Sequence, residues 1–142
     1  MVILRNSDLR IGNLIASGYS EEIEDTWIIG KVKTILSDEV DYEQIEVETD
    51  ESFEWFFKDC YFSIPLKKDW LIKFCFYINR TTKEDNNIWR KDWSEGYFEL
   101  EEIISFFFGY PLYSTEIKTV DHLQNLFYFI TKEELKTNEY GR

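Results

Sequence analysis

Residues 42–49 read YEQIEVET, and their alternation decides the fold of the first half of the chain. Successive side chains on a strand point to opposite faces of a sheet. Ile45 and Val47 therefore share one face, and Gln44, Glu46 and Glu48 share the other. Apolar side chains at a period of two, on one side only, mark a half-buried β-strand. Flanking segments carry the same signature less cleanly. LRIGNLIAS (9–17) sets Leu9, Ile11, Leu14 and Ile15 around Gly12, a residue suited to a bulge or a close backbone approach. SGYSEEIEDT (17–26) reads as a polar loop opened by Ser-Gly. TWIIGKVKTIL (26–36) resumes the sheet with β-branched and aromatic residues, and FEWFFKDCYFSIPL (53–66) adds one or two strands. Four or five short strands predict a small N-terminal β lobe over residues 1–63, a strongly curved antiparallel sheet or SH3-like barrel.

Pro65 ends the strand pattern and suits the start of a helix. LKKDWLIKFCF (66–76) places Leu66, Trp70, Leu71 and Phe74 near one helical face. YINRTTKEDNN (77–87) is a polar run of turn formers. IWRKDW, GYFELEEIISFFFGY and PLYSTEIKTV then predict two to four antiparallel strands. The closing helix carries the clearest signals: Thr119 as N-cap, Asp121 in the first turn, and an apolar stripe of Val120, Leu123, Leu126, Phe127 and Ile130. The fold class is α+β, with residues 64–142 forming a lobe of helix, antiparallel meander and C-terminal helix, expected to pack with the first lobe as one unit.

Size and composition fit this reading. A chain of 142 residues with 26 aromatics has ample apolar material for one core or two small lobes. The start, MVILRNSDLRIGN, lacks the apolar run of a secretion signal, and FFFGYPLY is too short to span a bilayer. A cytoplasmic protein is expected, with Cys60 and Cys75 as reduced, buried thiols in apolar surroundings. With 28 acids against 16 bases, the net charge of −12 repels phosphate and argues against direct binding of nucleic acid.

Reaction chemistry finds little footing. His122 is the only histidine, placed on the surface of the last helix, and neither cysteine context favours a thiolate. No G-x-S-x-G elbow, C-x-x-C pair, H-E-x-x-H helix, calcium loop or phosphate-binding glycine motif is present. No catalytic residue, metal site or cofactor is expected. Lys67, Lys68, Lys73, Arg80, Arg90 and Lys91 lie near Trp70, Trp89 and Trp93, but Asp69, Glu84, Asp85 and Asp92 dilute them into a mixed-charge surface.

LRIGNLI (9–15), IPLKKDWLIKFCF (64–76) and VDHLQNLFYFITKEEL (120–135), in this order and spacing, resemble a group of small proteins of bacteroidete genomes, often carried on phages or other mobile elements. The resemblance implies a shared fold and a mobile-element setting. It also implies a threonine cap where Lys67 stands and a glycine where Cys75 stands. The group carries no established activity, so it assigns no functional residues.

Charge is distributed unevenly. Residues 1–62 hold 15 acids against 5 bases, a net of −10, and residues 63–142 hold 13 against 11, a net of −2. Within residues 38–54, Asp38, Glu39, Asp41, Glu43, Glu46, Glu48, Asp50, Glu51 and Glu54 occur without a single Lys or Arg. Such crowding costs stability through self-repulsion. Two readings explain it: a row of carboxylates on one strand face as a recognition surface for a basic protein, or a solvated acidic edge that discourages strand pairing. The expected function is a non-enzymatic acidic protein-binding module, in its narrow form a DNA-mimicking inhibitor of a basic host-defence nuclease, similar to anti-CRISPR proteins. The alternative is a structural or accessory phage protein acting through an aromatic surface, in oligomeric form.

Overall fold

The computed structural model describes residues 9–18, 22–36, 44–57, 60–109 and 115–137. They form an α+β protein of two antiparallel sheets, with four and five strands, and two helices. The chain divides into two compact units, Met1–Ile64 and Pro65–Arg142.

In the first unit, β1 (Leu14–Ser17), β2 (Ile28–Leu36), β3 (Gln44–Glu48) and β4 (Phe53–Phe57) lie side by side in chain order. β3 keeps the alternation of its sequence: Ile45 and Val47 are fully buried, and the residues between them are half-buried. They join Leu9, Ile15, Val32, Phe56 and Tyr61 in one apolar core. Across β2 and β3 the register steps from Val32↔Val47 to Thr34↔Glu46, leaving Lys33 as the extra residue of a bulge. The expected strand over 9–17 is shorter than its sequence pattern. Gly12, at φ 101°, makes a turn and donates its N–H to the Val32 carbonyl at 2.9 Å, which leaves Ile11 exposed. Beyond β4 the chain returns to β1, where Ala16 and Phe62 exchange backbone hydrogen bonds of 3.1 and 2.8 Å. Ser17 Oγ donates to the Cys60 carbonyl at 2.7 Å beside that bridge.

The second unit opens with α1 (Lys68–Lys73), three residues after Pro65. Lys67 occupies the N-cap in extended geometry, and its side chain makes no capping hydrogen bond. The helix ends in a Schellman motif: the Phe76 N–H reaches the Leu71 carbonyl and the Cys75 N–H reaches the Ile72 carbonyl, both at 2.9 Å. A five-stranded meander follows: β5 (Tyr77–Thr81), β6 (Asn87–Trp93), β7 (Gly96–Glu102), β8 (Phe106–Phe108) and β9 (Thr115–Ile117). Finally, α2 (Val120–Thr131) packs on the sheet. Phe98 is the hub of this core, stacked on Phe108 at 4.7 Å and edge-on to Phe127 and Phe76 at 5.5 and 6.1 Å.

Three expectations need correction. Residues 77–81 are an edge strand rather than part of a turn. All five are exposed, so no buried side chain marks the strand in the sequence. On α2 the buried arc centres on Val120, Gln124, Phe127 and Thr131, so Ile130 is exposed and Leu126 only half-buried. Thr131 is drawn in because its hydroxyl donates to the Phe127 carbonyl at 2.7 Å. Both cysteines are free and exposed, because each sits at a turn of the backbone rather than inside a strand or helix.

Candidate binding surface

The acid-rich stretch is built on β3, β4 and the turn between them. Alternation carries Glu46 and Glu48 to the face opposite Ile45 and Val47. Asp50 and Glu51 stand exposed in the turn. Thr49 organises that turn, its Oγ1 accepting from the Glu51 and Ser52 N–H groups at 3.4 and 3.2 Å. Glu54 pairs with Val47 and so belongs to the other face, among residues flanking the core. Asp38, Glu39, Asp41 and Glu43 lie outside the described residues. The structure thus brings Glu46 and Glu48 together, adds Asp50 and Glu51 at one end, and sets Glu54 apart.

The outward face is not purely anionic. Lys33 Nζ closes on Glu48 Oε2 at 2.9 Å, both side chains well exposed, and Lys31 stands opposite Glu48 on β2. An exposed pair of this kind contributes about 0–1 kcal/mol. Thr34 Oγ1 donates to Glu46 Oε1 at 3.2 Å. On the other flank, β4 places Trp55 opposite Glu46 and Phe53 opposite Glu48. Phe53 is 63% exposed and Trp55 44% exposed. These two rings are what a reading by charge overlooks. The signal lay in FEWFF itself, where Phe53 and Trp55 fall on one face and Glu54 and Phe56 on the other.

His122 is exposed in the first turn of α2, and its backbone N–H donates to the Thr119 Oγ1 cap at 3.3 Å. Among the described residues, no group of three or more His, Cys, Asp or Glu side chains is placed to hold a metal ion, and no helix is long and apolar enough to cross a membrane.

A second set of polar side chains covers the outward face of the meander. Tyr77 OH donates to Asp92 Oδ2 at 2.7 Å, Arg90 Nε donates to Asp92 Oδ1 at 2.9 Å, and the Arg90 guanidinium lies over the Tyr97 ring at 4.1 Å. Accepting from Tyr77 and then Arg90 holds the Asp92 carboxyl below its ordinary range. The same bond to Asp92 raises the Tyr77 phenol above its ordinary value. Compared with family models, with curated proteins and with solved structures, the chain gives no match.

Proposed function

We propose that the protein is a non-enzymatic binding module whose N-terminal unit, a small SH3-like barrel, presents the outward face of β2–β4 to a basic protein partner. The barrel reading is supported by the Ala16–Phe62 bridge, which occupies the edge of β1 that β2 leaves open. The binding reading is carried by one observation, the pairing of Glu46 with Trp55 and Glu48 with Phe53 across β3 and β4. Rings beside carboxylates suit a lysine or arginine, which meets a carboxylate at its head and an aromatic face along its stem. Exposed aromatics are also the residues from which protein interfaces draw most of their energy.

The narrower DNA-mimicking form, an inhibitor of a basic host-defence nuclease, draws on the mobile-element resemblance and on the excess of acids before residue 63. A duplex mimic needs an unbroken anionic row, whereas Lys33 meets Glu48 and two rings flank the row. The mixed surface therefore favours a partner presenting cations beside apolar side chains. A pull-down with purified basic proteins, nucleases included, tests this at rising salt. Binding should weaken with salt and fall at least about tenfold in both Glu46→Lys/Glu48→Lys and Phe53→Ala/Trp55→Ala. Binding that ignores salt and survives both double substitutions sinks the proposal.

The alternative of a phage-type accessory protein that self-associates is favoured by Ile104, 98% exposed in the β7–β8 turn, and by Phe129, 73% exposed on α2. Sedimentation showing a strict monomer up to high concentration removes it.

A further inference from the structure

We infer that the outward face of the second sheet holds a separate groove that takes an arginine side chain from an apolar peptide segment of a partner protein. The groove encloses about 470 Å³ and is lined by Arg80, Ile88, Tyr97, Glu99, Glu101 and Phe107, among others. Its construction follows from the register of β6 and β7. Glu101 pairs with Ile88 on one side and Phe107 on the other, so the three share the outward face. Ile88 is only 5% exposed although it points away from the Phe98 core. It is the apolar floor of a depression walled by its neighbours.

Glu99 and Glu101 stand two residues apart on β7, and same-face positions on a strand repeat at roughly 6.6–6.8 Å. Each carboxylate is steadied by an amide: Asn79 Nδ2 donates to Glu99 at 3.3 Å and Asn86 Nδ2 to Glu101 at 3.1 Å. Among the lining residues the single cation is Arg80, whose side chain is 63% exposed and reaches Glu99 at 3.7 Å. Two oriented carboxylates over an apolar floor therefore face the loosely held guanidinium of Arg80, while Arg90, directly opposite Glu99 on β6, has its own guanidinium tied to Asp92 at 2.9 Å. A planar guanidinium with five donors can bridge both carboxylates and lie flat on an aromatic wall, which a compact ammonium cannot do. The same sheet face already shows that packing, with Arg90 over Tyr97 at 4.1 Å.

The test follows the Ile88 methyl and Tyr97 ring resonances of the full chain during titration with a capped peptide, one arginine flanked by leucines. Saturable shifts are expected. Citrulline in place of arginine should weaken binding at least about tenfold, a loss of roughly 1.4 kcal/mol. Glu99→Gln/Glu101→Gln should do the same, whereas Glu46→Gln/Glu48→Gln should leave binding unchanged, which separates this groove from the N-terminal surface. Should the double variant misfold, Tyr97→Ala replaces it, since that ring is 57% exposed and its removal leaves the core intact. Equal affinity for the citrulline peptide overturns the inference, as does the absence of saturable shifts. Ile88 shifts that follow protein concentration without peptide also overturn it, because a second copy then fills the groove.

Discussion

Cys75 has a φ of 66° at the end of α1, in the left-handed region that costs an L side chain roughly 1–2 kcal/mol. The Schellman hydrogen bonds of Phe76 and Cys75 leave the backbone no other course, and burial of Leu71 and Phe76 locks it. Cys75→Gly should therefore stabilise the protein by about 1 kcal/mol, read from denaturant midpoints; a loss of stability would mean that the exposed thiol has contacts outweighing the strain. A second residue-scale test concerns Tyr77 and Asp92. Their bond favours the folded state once Asp92 is ionised, above the ordinary carboxylate value near pH 3.9, and while Tyr77 keeps its proton. Stability from Asp92 is lost as pH falls through its lowered folded-state value, and stability from Tyr77 is lost as pH rises through its raised one. In Asp92→Asn the Tyr77 phenol should titrate earlier, towards pH 10, by tyrosinate absorbance or ring carbon shifts; an unmoved titration contradicts the bond.

β2 depends on a position without a side chain. A Cβ at Gly30 would stand 2.8 Å from Val47 Cβ and 3.0 Å from Val47 Cγ2, both on the buried side of β3. Gly30→Ala should cost about 1–3 kcal/mol as the two strands are pushed apart, seen as a lowered thermal midpoint; an unchanged midpoint would show that β3 yields freely there. Elements with one buried face could be read from the sequence, as YEQIEVET and VDHLQNLF illustrate. β5 could not, because Tyr77–Thr81 is exposed throughout and borrows its conformation from pairing with β6. The arc of α2 was misplaced for a related reason. Gln124 and Thr131 are buried polar residues, and a stripe drawn through apolar residues passes beside them to Ile130.

At the scale of the whole molecule, charge is partitioned as sharply as structure, with a net of −10 before residue 63 and −2 after it. Mutual repulsion among those acids is screened within about 8 Å at 0.15 M salt, so the thermal midpoint should rise between very low and physiological ionic strength. A flat or falling midpoint would show that pairs such as Lys33–Glu48 already balance the unit. The acid stretch and the outward placement of Glu46 and Glu48 were legible in the sequence. The lysines facing them were not, because register across β2, with its bulge at Lys33, is a property of two strands together. Nor was the groove on β7, whose two carboxylates gain meaning only from Ile88 and Phe107 on adjacent strands. The Ala16–Phe62 bridge carries one more consequence, for synthesis. A nascent chain on the ribosome can pair β1 with β2 early, but Ala16 gains its Phe62 partner only once residue 62 has emerged. During that interval the strand is open to capture by neighbouring nascent chains, so the pace of elongation across the acidic stretch sets how long this vulnerability lasts.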